Sequence, residues 1–481
     1  MSGEILTPDL CVIGAGSGGL SVAAGAAQMG ADVVLIERHK MGGDCLNYGC
    51  VPSKALIAAA HKAHGQTDGA AFGVAPVVPK VDYAKVMQHV HEVIETIAPI
   101  DSVERFEGLG CTVIQDSAKF VNAKEVEAGG KIIRPRRFVI ATGSGPIVPP
   151  IPGLESVPYW TNETLFDHDN RPGELPTHLI VVGGGPIGLE MAAAHRRLGS
   201  KVTVLEGARA LPKDDPELAE ILLTQLRGEG VDIREGALVT AVAKTENGIE
   251  VSLRDGGVVE GSHLLLAVGR KPAIESLNLE AAGIDYDKGG IKVNAGLRTS
   301  NRKAYAIGDV AQIDGKPSPQ FTHVAGYHAG IVIRSALFRA PAKVAMNAIP
   351  WVTYTDPELA QVGLTEAEAK TQGITTRIVT WELSENDRAQ AERRTEGMVK
   401  VVCTPKGKVL GAGIVGPHAG ELIAPWVMAI SKGMKIGAMT GPIAPYPTLA
   451  EINKRAAGAW YTPTLFSPRT RLVVKLLSKF G

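Results

Sequence analysis

The stretch Asp9–Glu37, "DLCVIGAGSGGLSVAAGAAQMGADVVLIE", decides the fold. It reads as a short apolar strand, a glycine turn, an alanine-rich helix and a second apolar strand that ends on an acid. Gly14, Gly16 and Gly19 fall on the pattern G-x-G-x-x-G, and Glu37 lies 21 residues beyond the middle glycine. That spacing suits a dinucleotide. The glycines give a tight turn and let the backbone approach a pyrophosphate, the helix start faces the phosphates, and the carboxylate meets a ribose hydroxyl. One such motif is a weak signal. The stretch His178–Glu206, "HLIVVGGGPIGLEMAAAHRRLGSKVTVLE", repeats the whole pattern with Gly183, Gly185, Gly188 and Glu206, again 21 residues from middle glycine to acid. Two complete units predict two dinucleotide sites. Electrons passing between bound cofactors need one that stays and one that leaves, so the two dinucleotides are expected to differ.

The rest of the chain narrows the class. At 481 residues it is too long for one core, and about three domains are expected. Fifty basic residues balance fifty acidic ones, so no electrostatic footprint points to nucleic acid. The 56 glycines suit an α/β protein with many tight turns. No apolar run reaches the ~18 residues of a membrane span, and the N-terminus enters a strand without the apolar region of a signal peptide. Five cysteines, few and odd in number, argue against a secreted disulfide scaffold, and a cytoplasmic location is expected.

Two of those cysteines stand close together in "GGDCLNYGCVPSK", residues 42–54. Cys45 and Cys50 have four intervening residues, wider than a thioredoxin-type pair. Redox chemistry, half a zinc site and two buried free thiols are the readings to weigh. No second Cys/His pair has the spacing that would complete a zinc site. Further apolar strands end at Gly143 in "RFVIATGSG" and at Gly308-Asp309 in "KAYAIGDVAQ". From about residue 346 a third pattern begins, with a hairpin expected around Pro405-Lys406-Gly407-Lys408 and a helix near "ELIAPWVMAISKG".

Taken together, "GAGSGG", "GGDCLNYGCVPSK", "IATG", "GGGPIGLE", "YAIGD" and "PYPTLAE" occur in the order found in the flavin-dependent pyridine nucleotide-disulfide oxidoreductases, and the chain resembles that family over nearly its whole length. Glutathione reductase, dihydrolipoamide dehydrogenase and mercuric reductase are members. The resemblance implies an α/β fold with two Rossmann-like dinucleotide-binding domains, for FAD and NAD, and a C-terminal α+β dimerisation domain. The corresponding boundaries are 1–155 and 276–345 for the FAD domain, 156–275 for the NAD(P) domain and 346–481 for dimerisation. FAD would use Gly14, Gly16, Gly19, Glu37, Gly43, Thr142, Gly143, Asp309 and His323. NAD would use Gly183, Gly185, Gly188, Glu206 and Gly269. NADH is favoured over NADPH, because Glu206 would accept from a free 2′-hydroxyl and repel a 2′-phosphate, with Arg209 as a partial counterweight.

The same resemblance makes Cys45 and Cys50 a redox-active disulfide, with Cys50 on the flavin side as the thiolate and Cys45 facing the substrate. A helix start near one sulfur favours its ionisation. Lys54 and Glu190 match the family's pair beside the flavin, where a cation held by a carboxylate stabilises negative charge on the reduced ring. His323 opens an apparent helix aimed at the flavin, in a tuning or a packing role. Cys11, Cys111 and Cys403 lie in apolar runs and are expected in the core.

Three positions depart from the family pattern. Where glutathione reductase and dihydrolipoamide dehydrogenase carry a histidine five residues before a glutamate near the C-terminus of the partner subunit, this chain has Tyr446 before Glu451, and the resemblance implies an active site shared between subunits. A phenol with a pKa of about 10 is a poor base at neutral pH where an imidazole near 6.5 would serve, so ordinary dihydrolipoamide oxidation is disfavoured. Mercuric reductase shares the tyrosine, but the vicinal cysteine pair with which it ends is replaced here by "LLSKFG", and a second family tyrosine appears as Phe106. The leading expectation is a homodimeric, mercuric reductase-like enzyme passing electrons from NADH through FAD and the cysteine pair to a small-molecule or protein disulfide, or another thiol-reactive acceptor. Dihydrolipoamide dehydrogenase, Hg(II) reductase, a membrane-associated flavin electron transferase and a redox-sensing flavoprotein are the alternatives. The tail 467–481 projects as a helix with Leu472, Val473, Leu476, Leu477 and Phe480 on one face and Arg471, Lys475 and Lys479 on the other. Docking onto the protein's own surface is the plainer expectation, and weak contact with an anionic membrane the sharper one.

Overall fold

Leu10–Ile13 and Val33–Ile36 are continuous apolar runs, "LCVI" and "VVLI", and every residue in both is buried. Strands apolar on both sides belong in the middle of a parallel sheet with helices on its faces. They pair there in register, Leu10 with Val33 through to Ile13 with Ile36. The sheet has five parallel strands in the order Ala304–Ala306, Arg137–Ile140, Leu10–Ile13, Val33–Ile36, Cys111–Ile114. Ser17–Gln28 is the crossover helix between the central pair. The computed structural model describes residues 4–168 and 173–480; residues 1–3 of the N-terminal reading and Gly481 of the tail fall outside them.

The described chain divides into two compact units. The first comprises residues 1–183, 194–207 and 237–344 and contains the five-stranded sheet. It also holds the parallel strands His178–Val182, Lys201–Glu206 and His263–Leu266 of the second nucleotide pattern. An antiparallel ribbon, Val239–Thr245, Gly248–Leu253 and Val258–Gly261, belongs to it as well. A two-stranded ribbon carries the chain between the two nucleotide patterns, with Ser144–Pro146 paired antiparallel to Arg270–Pro272.

The second unit comprises residues 184–193, 208–236 and 345–481. Its centre is a five-stranded antiparallel sheet in the order Pro350–Thr353, Glu358–Gly363, Val409–Gly416, Met398–Cys403, Arg377–Glu382. The expected hairpin is the pairing of Met398–Cys403 with Val409–Gly416, and Gly407 takes the left-handed turn position at φ +83°. The helix Ala424–Ser431 buries Trp426, whose Nε1–H donates to Asn453 Oδ1 at 2.6 Å. Cys11, Cys111 and Cys403 are buried in strands, as expected from their apolar surroundings. Phe106 is also core, 1% exposed.

The tail corrects one expectation. Pro468–Leu477 is a helix, started by Ser467 as N-cap and proline at the first position. Its apolar face is not buried against the described residues of its own chain. Leu472, Val473, Leu476 and Leu477 are 49–63% exposed, and Phe480 beyond them 87%. Helical period places these residues on one face, but the described residues of this chain do not cover it.

Candidate functional site: a cysteine pair and two glycine cradles

The first glycine loop is closed by sterics. Gly14 has φ +102°, and a Cβ on it would lie 2.4 Å from the Ala141 carbonyl oxygen; a Cβ on Gly19 would lie 1.8 Å from the Gly14 oxygen. Neither position can take a side chain without moving backbone. Gly16 is the N-cap of Ser17–Gln28, and no side chain caps that helix start among the described residues. Glu37 is buried and reaches across the loop, accepting from Ala15 N–H at 2.7 Å and from His39 N–H at 2.8 Å. A cleft lined by Gly14, Glu37, Arg38, Asp116 and Thr142 opens beside it. Gly43 has φ +60°, and a Cβ on it would meet Gly16 Cα at 2.7 Å. A bare backbone loop, an uncapped helix start and a buried carboxylate fit the pyrophosphate and ribose of a dinucleotide.

Thr142 and Gly143 continue this rim. Thr142 Oγ1 donates to the Ala273 oxygen at 2.8 Å, and Gly143, at φ +69°, accepts from Ala273 N–H at 3.0 Å. In the second pattern, Gly183 has φ +112° and would place a Cβ 2.4 Å from the Ala267 oxygen, whereas a Cβ on Gly185 would meet open space. Gly188 is buried in the first turn of Pro186–Leu198, and Glu206 ends its strand. Gly269, at φ +126°, accepts from Ile147 N–H at 3.0 Å.

Cys45 lies on the short helix Gly43–Asn47, half-buried, and Cys50 is the first residue of the helix Cys50–His64, exposed. Both are thiols, in hydrogen-bond contact with each other. Their ionisation is opposed. The hydrogen bond from Cys45 is the largest influence lowering the Cys50 pKa, which falls to about 6 with help from Thr322 and the Lys54 charge, against burial and the Asp44 carboxylate. The Cys45 thiol is pushed up by the same hydrogen bond, by burial and by the negative charge on Cys50. Cys50 Sγ is 3.4 Å from the hydroxyl of Thr322, which opens the helix Thr322–Ala336. The Cys50 sulfur therefore lies at one helix start and against the first residue of another, an environment that favours a thiolate.

The loop that carries Cys45 is fastened by charge. Asp44 pairs with Arg270 at 3.1 Å and accepts from Asn162 at 3.0 Å. Arg270, 11% exposed at its side chain, also donates to the hydroxyl and carbonyl of Ser144, at 2.9 and 2.8 Å. Ser144 in turn donates to Asp309 Oδ2 at 2.6 Å. Burial raises the Asp309 pKa more than these partners lower it. Asp309 belongs to the turn Gly308–Val310, and Gly308 N–H donates to His328 Nδ1 at 3.2 Å. Burial brings the His328 pKa down to about 4, so this ring is neutral and acts as a hydrogen-bond acceptor. His323 is exposed at the second position of Thr322–Ala336, stacked on Phe321 with ring centroids 5.3 Å apart.

In the second unit, Glu190 is buried and accepts from Tyr354 N–H at 2.9 Å. Tyr446 is exposed, and its hydroxyl donates to Asp387 at 3.0 Å, a bond that pushes the phenol pKa up. Glu451 opens the helix Glu451–Ala459.

Residues 8–329 match the model of the pyridine nucleotide-disulphide oxidoreductases, and residues 349–457 match that family's dimerisation domain. The chain belongs to this family. A mercuric reductase from Bacillus cereus is 35% identical over 454 residues, 93% of this chain and 70% of that protein. A dihydrolipoyl dehydrogenase from Geobacillus stearothermophilus is 35% identical over 458 residues, covering 93% and 94%. Among solved structures, the Cu(II) complex of the HOCl-induced flavoprotein disulfide reductase RclA from Escherichia coli superposes with a TM-score of 0.82 at 29% identity, covering 93% and 98%. The fold and class expectations hold. This is an FAD-dependent oxidoreductase that uses a pyridine nucleotide, and its dimerisation domain supports a homodimer.

Several residues around the cysteines went unread in the sequence. Thr322 precedes His323 and looks like an ordinary helix opener until the fold sets it on Cys50. Asp44, Ser144, Asn162 and Arg270 are spread over more than 220 positions; Asp44 lies within the cysteine motif and Ser144 and Arg270 next to the motif glycines Gly143 and Gly269, but nothing in the sequence joins the four. His328 lies five residues past His323 and resembles a core position.

Proposed function

We propose that the chain is an NADH-dependent disulfide reductase in which Cys50 is the flavin-side thiolate and Cys45 delivers electrons to the acceptor. Two thiols in contact, with Cys50 at one helix start and its Sγ 3.4 Å from the Thr322 hydroxyl at another, carry this reading, and their opposed ionisation accords with it. Bound FAD would supply two-electron exchange between the nicotinamide and the cysteine pair. Gly14, Gly16, Gly19, Glu37, Gly43, Thr142, Gly143 and Asp309 would hold it, with His323 at the nearby helix start. Gly183, Gly185, Gly188, Glu206 and Gly269 would hold NADH. The Arg209 guanidinium donates to the carbonyls of Leu211 and Asp214, which supports a preference set by Glu206 rather than by a cation. Lys54 would place a positive charge near the flavin.

The proton balance follows from the pair itself. In the dithiol form Cys45 is the protonated partner and Cys50 the thiolate. Transfer of the Cys45 proton to Cys50 makes Cys45 the nucleophile. Cys45 sulfur then bonds to one sulfur of the acceptor disulfide, the acceptor S–S bond breaks, and the leaving thiolate takes the proton from Cys50. Cys50, again a thiolate, attacks Cys45 and expels the second acceptor thiolate, which closes the Cys45–Cys50 disulfide. The dithiol loses two electrons and the acceptor gains two. Tyr446 of the partner subunit, with its pKa raised, would exchange its bond to Asp387 for one to the leaving thiolate, acting as a hydrogen-bond donor and not as a base. Glu451 of the partner subunit lines the same pocket. A pair that cycles between dithiol and disulfide suits the reducing cytoplasm.

Cys45→Ser tests the reading. NADH should still reduce the flavin of this variant, while electron delivery to a panel of low-molecular-weight and protein disulfides should cease. Full turnover with any acceptor accepted by the wild type would overturn the thiol route.

A further inference from the structure

The chain as a whole is electrically neutral, but residues 462–480 contain Arg469, Arg471, Lys475 and Lys479 and no acid. This segment lies beyond residue 457, where the match to the dimerisation domain ends. Its helix is specified locally. Ser467 accepts from Thr470 N–H, Pro468 occupies the first position, and Thr470 Oγ1 donates to the Thr464 oxygen at 2.7 Å. At 100° per residue, Leu472, Val473, Leu476 and Leu477 share one side and Arg471 and Lys475 the other. The apolar side is exposed, and Leu465 and Phe466 just before the helix are 55% and 65% exposed.

We propose that this helix docks the enzyme on an anionic phospholipid bilayer, with the leucine and valine side among the acyl chains and the lysines and arginines at the headgroups. Charge decides the occupant. Two copies of a segment with four cations and no acid repel each other, so a second tail is a poor cover for the apolar side. An anionic surface attracts each of those cations and receives the apolar side chains at the same interface. Arg469 falls within the apolar sector at the first turn, where a long side chain with an apolar stem can reach the headgroup layer. A single helix of ten residues binds weakly, but a homodimer offers two, and the second engages at a high effective concentration. No described helix is long and apolar enough to cross a membrane, so the contact is peripheral. The inference does not depend on the route of electrons through the cysteines.

The test is sedimentation of the full-length flavoprotein with vesicles of phosphatidylglycerol and phosphatidylcholine, against vesicles of phosphatidylcholine alone. Binding is expected only to the anionic vesicles and should weaken as salt shortens the Debye length from about 10 Å at 0.1 M to about 3 Å at 1 M. The double variant K475E/K479E and the double variant V473D/L476D should each lower vesicle affinity by at least about tenfold. Both should keep the flavin content, the NADH oxidation rate and the sedimentation coefficient of the wild-type dimer. Absence of binding to anionic vesicles at low salt, equal binding to both vesicle types, or undiminished binding by either variant would overturn the proposal. So would dissociation of the dimer in V473D/L476D, which would assign the apolar side to the subunit interface.

Discussion

Replacing Thr322 with valine removes one hydroxyl and keeps the shape of the side chain, and the structure fixes what should follow. The hydroxyl lies 3.4 Å from Cys50 Sγ and is among the influences that hold the Cys50 pKa near 6. A hydrogen bond to an ionised group contributes ~1.5–3 kcal/mol. This one is long, has sulfur as acceptor and involves an exposed residue, so screening reduces it to about 1 kcal/mol. One pKa unit corresponds to about 1.4 kcal/mol, which gives a rise of about 0.7 unit. The assay is the pH dependence of iodoacetamide alkylation of the reduced enzyme, read at the Cys50 peptide by mass spectrometry. The midpoint should move from about 6 towards 7. A more basic thiolate is also a better nucleophile, with a Brønsted slope of ~0.4–0.5. The rate should therefore fall about two- to threefold near pH 5 and rise about twofold near pH 8, so the two curves cross. A midpoint that stays in place or moves down would refute the assignment and leave Cys45, Lys54 and the helix start as the determinants of the thiolate.

The depressed Cys50 pKa also sets a stability window. Its folded value lies below the thiol's ordinary value near 9, so the thiolate's contribution is fully present above pH 9 and is lost as the pH falls through about 6. Urea denaturation of the reduced enzyme should show stability rising across that interval relative to Cys50→Ser. Arg270→Met removes the partner of Asp44 and Ser144, and equilibrium unfolding should register a loss of about 1–3 kcal/mol, with the Cys50 alkylation midpoint shifted upward because Asp44 is no longer offset. Trp426→Phe leaves Asn453 Oδ1 buried without its indole donor and should cost about 1–3 kcal/mol by the same measurement. Tyr446→His supplies the imidazole that the family resemblance implies for dihydrolipoamide dehydrogenase and should raise dihydrolipoamide oxidation; no gain would assign the exclusion to pocket shape.

What the sequence reveals here is whatever depends on local period and spacing. The two glycine turns are legible because sterics at Gly14, Gly19 and Gly183 admit no side chain and because each helix follows its strand directly. The cysteine pair is legible because its chemistry is confined to 13 consecutive residues. The surroundings that tune the pair are not, because Thr322 and Arg270 reach it through the fold and carry no motif of their own. The helical period of the tail was equally plain, but period alone does not say whether the chain has a surface to cover the apolar side. Among the described residues here it has none.

The ribbon formed by Ser144–Pro146 and Arg270–Pro272 is short, far in sequence from either thiol, and easily mistaken for a spacer. Arg270 makes it a shared fastening, since one guanidinium grips both the ribbon and the loop bearing Cys45. Any insertion, proteolytic nick or chimera junction placed in that crossing will alter sulfur reactivity as well as the cradle residues Gly143, Gly269 and Asp309 that adjoin or bond to the ribbon, and a designer splicing new nucleotide modules onto this scaffold has to carry the fastening along.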